Sequence, residues 1–238
     1  MILFYRIYQL IILLPVTIVS TILAAVLTVA GCAVGIGHSA GYIFPMIWAR
    51  IMCWFTLVRV TVHGRENIDP ATSYVFVANH QGSYDIFSVY GYLGHNFRWM
   101  MKKSLEKIPF VGWACRRCGQ IFVDNSSPHA IAATMQAAKK QLAGGMSLVV
   151  FPEGARTFNG QMGRFKRGAY TLAVEFGMPV VPITIDGAFN VMPRTAKLPR
   201  WGHITLTIHK PIHPGIDGHD LASLMEQSRE AIASALPR

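Results

Sequence analysis

The sequence predicts an α/β fold, a mixed sheet flanked by helices, with an N-terminal apolar helical hairpin. Two observations lead there. From Val60 to Leu236, strand-like apolar runs alternate with helical stretches, the pattern of a sheet with helices packed on its faces. Ahead of them, Ile7 to Ala49 holds no Lys, Arg, Asp or Glu in 43 residues, whereas the rest has ordinary soluble composition. The 238 residues are therefore expected to divide into a membrane-anchoring apolar hairpin, 1–60, and an α/β domain, 61–238.

The first apolar arm, Ile7–Ala30, is long enough to cross a bilayer at about 20 residues per span. Gly31, Gly35, Gly37 and Gly41 interrupt it, and a second arm runs from Tyr42 to Val60. Arg6 flanks one end and Arg50, Arg59 and Arg65 the other. The positive-inside rule then puts both ends, and the domain, on the cytoplasmic face. Hydropathy leaves open whether the hairpin spans or dips into one leaflet; the arginines of the second arm favour an interfacial position. A cleaved signal peptide needs a shorter apolar core. Val29-Ala30-Gly31-Cys32 resembles a lipoprotein processing site, but the apolar sequence continues well past it.

In the domain, strands are expected at Val60–Val62, Tyr74–Ala78, Arg98–Met101, Gln120–Val123, Leu148–Phe151, Val180–Ile185 and Ile204–Ile208. Helices are expected at Ser83–Leu93, Phe110–Cys118, Ser127–Leu142 with a serine N-cap, Lys166–Phe176 closed by Gly177, and Leu221–Leu236. Ligands of such sheets collect where strands end and loops begin.

Two loops at such strand ends carry chemistry. The run Tyr74–Ala78 leads into Asn79-His80-Gln81-Gly82-Ser83-Tyr84-Asp85. In one helix, positions five apart diverge. With His80 in the loop and Asp85 in the first helical turn, the two side chains can meet. A carboxylate on one imidazole nitrogen fixes the tautomer and leaves the other as a base for a hydroxyl. The competing reading has His80 merely ending a strand and Asp85 complementing a helix N-terminus. The second loop is Phe151-Pro152-Glu153-Gly154-Ala155-Arg156. Pro152 stops the strand and Gly154 permits a tight turn, setting Glu153 and Arg156 at the loop mouth. Arg156 can grip a phosphate with two parallel hydrogen bonds, and Glu153 can hold that guanidinium or a substrate hydroxyl. Lys102 and Lys103 at a strand end, and Arg164, Lys166 and Arg167 at a helix entrance, add cations to a phosphate pocket. A plain surface Glu–Arg pair is the bland alternative.

Composition narrows the partners. Hydrophobic residues make up 52% and charged residues 14%, and 22 Lys and Arg against 12 Asp and Glu give a formal net charge of +10. That charge suits acidic headgroups and phosphorylated metabolites. No nucleic-acid motif accompanies it, so nucleic acid is not expected. Cys115 and Cys118 form one CxxC with no second pair to complete a zinc site, and read as thiols on successive turns of a short helix.

Taken together, the blocks resemble the 1-acylglycerol-3-phosphate O-acyltransferase (lysophosphatidate acyltransferase) family. The first is Asn79, His80 and Asp85. The second is Lys103, Leu105, Ile108-Pro109 and Gly112, leading to Gly119 and Ile121-Phe122-Val123-Asp124. The third is Phe151-Pro152-Glu153-Gly154 with Arg156, and the fourth Val181-Pro182-Ile183. The resemblance covers roughly Val75–Ile183, and four ordered blocks are far more specific than any one. It departs from the family at Asn125, where Arg usually follows the Asp, and at Ala155, where Thr usually precedes the Arg. The first departure removes a cation that the resemblance assigns to the glycerol phosphate.

What the resemblance implies is transfer of a fatty acyl group from a thioester to the sn-2 hydroxyl of 1-acylglycerol 3-phosphate, giving phosphatidic acid. His80 and Asp85 would be catalytic. Lys103, Glu153, Gly154, Arg156 and Lys166 would bind substrate. No metal or cofactor is expected beyond the co-substrate, acyl-CoA or an acyl carrier protein thioester. Two alternatives stand beside it: another acceptor (glycerol 3-phosphate, another lysophospholipid or a lyso-aminolipid), or a non-catalytic membrane protein that binds anionic lipid. With no G-x-S-x-G nucleophile motif, direct transfer is expected.

Overall fold

The computed structural model describes residues 2–215 and 221–237. Seven strands form one mixed sheet in the order β1-β7-β6-β2-β5-β3-β4. Their ranges are Val58–His63 (β1), Val75–Ala78 (β2), Phe97–Lys102 (β3), Ile121–Val123 (β4), Ser147–Val150 (β5), Val180–Asp186 (β6) and Gly202–Ile208 (β7). Strands β2 to β6 run parallel. β7 runs against β6, and β1 follows β7 in parallel. The C-terminal ends of β2 to β6 therefore share one edge of the sheet with the N-terminal ends of β1 and β7.

Central β2 is fully buried, as expected of a continuous apolar run covered on both faces. One face carries Tyr74, Phe76, Val149, Ile183 and Ile204 against the helix α4 (Tyr84–Tyr92) and the hairpin. The other carries Val75, Val77, Leu148 and Val180 against α6 (Pro128–Ala143), α7 (Gly168–Glu175) and α9 (Leu221–Ser234). Each fully buried Leu, Ile or Phe contributes about 1.5–3 kcal/mol, so these two layers supply most of the driving force. Local signals hold where they were read. The Ser127 hydroxyl accepts the Ala130 N–H and caps α6, and Gly177 closes α7 at φ +60°. A further helix, α8 (Ala188–Val191), is one turn long and gave no periodic signal.

The apolar N-terminus is a helical hairpin. α1 (Ile2–Tyr8) runs through a π-helical turn, Gln9–Leu13, into α2 (Leu14–Ala33), and α3 (Gly37–Phe55) returns. The second arm thus starts at Gly37, earlier than its apolar stretch, and Val58–Val60 already belong to β1, so a boundary at residue 60 falls inside a strand. α3 lies along the domain from end to end. Near its start, the buried Arg98 guanidinium donates to the carbonyls of Gly37 and His38. Tyr90 Oη donates to the Gly41 carbonyl, and Arg50 Nε to the Gly91 carbonyl. At its end, the Thr56 hydroxyl is hydrogen-bonded to Tyr84 Oη. Gly41 is required here, because a Cβ would fall 2.8 Å from Cys118 Cβ. α2 packs outside α3, and Leu14, Ile18, Val19, Leu23, Val26 and Leu27 stay exposed. Cys115 lies in α5 (Val111–Arg117) and Cys118 at its C-cap, both as free thiols.

Candidate active site

The site forms where the loops after β2 and β5 leave the sheet side by side. β2 pairs with β5 through Val75↔Leu148, Phe76↔Val149 and Val77↔Val150, an offset of 73 residues. Carried past the strand ends, the same offset sets His80 opposite Glu153. Both backbone polar groups of His80 are used there. Its N–H donates to Glu153 Oε1 at 2.8 Å, and its carbonyl accepts the Thr157 N–H at 2.9 Å.

His80 and Asp85 meet as their spacing allowed. Asp85 Oδ2 lies 2.7 Å from His80 Nδ1 and also accepts the Gly82 N–H at 2.8 Å. The Asp85 side chain is fully buried and that of His80 is 14% exposed. Burial pushes the Asp85 carboxyl above its usual range, opposed chiefly by the His80 hydrogen bond. With Nδ1 on the carboxylate, the geometry orients Nε2 as the basic nitrogen. The imidazole lies flat on Phe151, and Trp99 stacks behind Phe151. The N–H groups of His80, Gly82 and Ser83 are all taken, the last by the Met192 carbonyl, so an oxyanion would have to draw its donors from elsewhere in these loops.

Glu153 does not pair with Arg156, one of the two roles its sequence position suggested. Its carboxylate holds backbone rather than the Arg156 guanidinium: Oε1 takes the His80 N–H and Oε2 the Gly163 N–H at 2.7 Å. Burial pushes its carboxyl up, and these two N–H bonds work against that. Arg156 instead donates through Nη1 to the Ser83 hydroxyl at the start of α4. Gly154 takes φ +76°, and a Cβ there would lie 2.7 Å from Lys166 Nζ. Lys166 therefore reaches this loop, its N–H bonded to the Pro152 carbonyl. Lys103 stands just beyond the end of β3 on the same sheet edge, with its ammonium 2.6 Å from Asp124 Oδ2. That contact raises the lysine and holds the Asp124 carboxyl down at about 2. The sequence did not foresee this partner for Lys103; α5 and β4 return the chain so that Asp124 ends beside it.

Some positions gave no sequence signal for the part they play. Asn79, buried at the end of β2, donates Nδ2 to the Ile185 carbonyl and accepts the Ile185 N–H, as if it were one more residue of the ladder. Phe151 and Trp99 read as strand residues, and only packing puts them under His80. Ser83 read only as the start of a helix, and Thr157 carried no signal.

A family model described as Acyltransferase matches residues 59–186, spanning the sheet from β1 to the end of β6. The chain belongs to this family. It is 35% identical over 196 residues to the 1-acyl-sn-glycerol-3-phosphate acyltransferase of Pseudomonas aeruginosa, covering 79% of this chain and 74% of that protein. It is also 35% identical over 182 residues to a 1-acyl-sn-glycerol-3-phosphate acyltransferase of Chlamydomonas reinhardtii, covering 75% of this chain and 53% of that protein. The chain spans about half the length of the plant and algal relatives it matches. Among solved structures, the 1-acyl-sn-glycerophosphate (LPA) acyltransferase PlsC of Thermotoga maritima superposes with a TM-score of 0.71 at 25% identity, over 84% of this chain and 82% of that one. The mixed sheet flanked by helices is thus this family's architecture.

Proposed function

We propose that this protein is a membrane-surface acyltransferase that moves a fatty acyl group from a thioester to the sn-2 hydroxyl of 1-acylglycerol 3-phosphate. The observation that carries the reading is the buried 2.7 Å contact between Asp85 and His80 Nδ1 at the mouth of a strand-end loop. His80 Nε2 takes the proton of the acceptor hydroxyl as that oxygen attacks the thioester carbonyl. The carbon–sulfur bond then breaks, and the imidazolium returns the proton to the departing thiolate. Asp85 orients the ring and offsets the imidazolium charge. Arg156, Lys166 and Lys103 supply cations for the acceptor phosphate. Glu153 and Gly154 act by holding the loop in place.

The hairpin supports a site at the bilayer surface. α3 is about 28 Å long at 1.5 Å per residue, and it packs on the domain at both ends. A hairpin crossing the bilayer would carry the domain in with it. The arrangement favours α2 lying in one leaflet with its exposed apolar side down, on the cytoplasmic face given by the flanking arginines. A lysolipid acceptor then stays in the membrane while the thioester arrives from water.

Asn125, exposed where the family usually has Arg, favours a second reading in which the acceptor is another lysolipid or glycerol 3-phosphate. A thiol-release assay with acyl-CoA and a panel of lysophosphatidate, glycerol 3-phosphate and a lysophospholipid separates the two. Turnover with lysophosphatidate at the highest kcat/KM is the expected result. No thiol release with any acceptor, or undiminished release by folded His80→Ala, sinks the mechanism.

A further inference from the structure

We propose that the segment Met192–Trp201, together with Phe158, is a second bilayer contact that seats on acidic phospholipid headgroups and holds the His80 loop against the membrane. It rests on the membrane-surface reading above and adds to it a surface remote in sequence from the hairpin. Trp201 is 48% exposed, Leu198 50% and Phe158 69%, an apolar and aromatic group that gains nothing from water. Arg194, Lys197 and Arg200 are interleaved with it and exposed. The Arg194 guanidinium lies 4.3 Å over the Phe158 ring. No Asp or Glu occurs from Gly187 to Gly215, so no carboxylate of that stretch opposes an anionic surface. Aromatic rings among basic side chains suit the boundary between headgroups and acyl chains.

The segment continues the hairpin surface. Tyr5 of α1 packs edge-on against Trp201 at 4.7 Å, and Gln9 Nε2 donates to the Pro199 carbonyl at 2.8 Å. α1 itself exposes Leu3 and Phe4. On its other side the segment abuts the candidate site: Gly82 bridges to Pro193, and the Ser83 N–H donates to the Met192 carbonyl at 3.1 Å. Thr157, whose N–H holds the His80 carbonyl, immediately precedes Phe158. The loop is also ordered within itself, since the Arg200 N–H donates to the Val191 carbonyl and the Ala196 N–H to that of Pro193. Seating it on lipid therefore fixes the height of the His80 loop above the bilayer, whereas the hairpin alone leaves the domain free to rock about α2.

Tryptophan quenching by vesicles of brominated phosphatidylcholine mixed with phosphatidylglycerol tests this on the full chain. Trp54, exposed on α3, reports the hairpin and Trp201 the loop. Quenching should fall in both Trp54→Phe and Trp201→Phe relative to the parent. Each basic residue near an anionic surface is worth roughly fivefold in affinity. The triple variant Arg194→Gln, Lys197→Gln, Arg200→Gln should then bind vesicles containing phosphatidylglycerol about a hundredfold more weakly. Its binding to neutral vesicles should not change. Phosphatidylglycerol is neither the proposed substrate nor the product, so the readout is independent of turnover. If Trp201→Phe leaves the quenching unchanged while Trp54→Phe reduces it, or if the triple variant binds both vesicles like the parent, the loop contact is wrong and the hairpin reading stands. If neither tryptophan is quenched, the membrane-surface reading fails with it.

Discussion

The imidazole of His80 lies on the ring of Phe151 with centroids 3.9 Å apart and planes 5° from parallel. Asp85 holds the edge of the same imidazole, and Glu153 and Thr157 hold its backbone, so the ring is restrained in three directions. In the proposed transfer, stacking on an aromatic face would also favour the imidazolium formed as the proton is taken, by about 0.5–2 kcal/mol.

Phe151→Leu should therefore lower kcat by about tenfold with little change in either KM, since about 1.4 kcal/mol of barrier is a factor of ten. Phe151→Tyr, which keeps the ring, should restore kcat to within about twofold. Steady-state kinetics of both folded variants decide it. Equal losses in the two would mean that packing volume, not the aromatic face, is what matters.

Asp85 is expected to trade stability for chemistry. Burial raises its carboxyl, so the ionised form costs folding free energy above the folded pKa, and that cost vanishes as pH falls below the unfolded value of about 3.9. Asp85→Asn removes the cost and should raise Tm at pH 8, by about 2–4 °C for each kcal/mol recovered. The gain should shrink as pH is lowered. Activity should fall by about 10²–10⁴-fold, because Asn holds the ring without offsetting the imidazolium charge. A Tm below wild type at pH 8 would show that the carboxylate is net stabilising after all.

Arg156→Lys keeps the charge and loses the fork. The KM of a phosphate-bearing acceptor should rise about tenfold, with the donor KM unchanged. Asp124→Asn should act the other way. Freed of its carboxylate, Lys103 gains the phosphate as its partner, and acceptor KM should fall about two- to fivefold, the worth of an exposed ion pair. An acceptor KM that moves in neither variant would place the phosphate elsewhere.

Asn79 should prove as important to the fold as to the site. Asn79→Ala strands the buried N–H and carbonyl of Ile185, at a cost of about 2–4 kcal/mol. Urea unfolding should show a lower midpoint with an unchanged slope. An unaltered midpoint would mean that water or a shifted backbone replaces the side chain.

The sequence by itself determined most of the elements, the one-turn α8 excepted. A strand or helix records in its own residues which of its sides is apolar, and Ser127, Pro152 and Gly177 mark boundaries through local backbone chemistry. The His80–Asp85 pair was legible for the same reason, since the six residues from His80 to Asp85, loop and helix start, carry both groups. Tertiary structure alone decided who meets whom at longer range. The adjacency of β2 and β5 gave Glu153 the His80 N–H as a partner in place of Arg156, and put Phe151 beneath the imidazole. The return of β4 beside β3 gave Lys103 to Asp124. Hydropathy likewise could not tell a spanning hairpin from one laid along a domain, because lipid and a protein core both reward an apolar face. Small residues such as Gly41, and buried donors such as Arg98, show that α3 packs on the domain only once the neighbour they fit is in place.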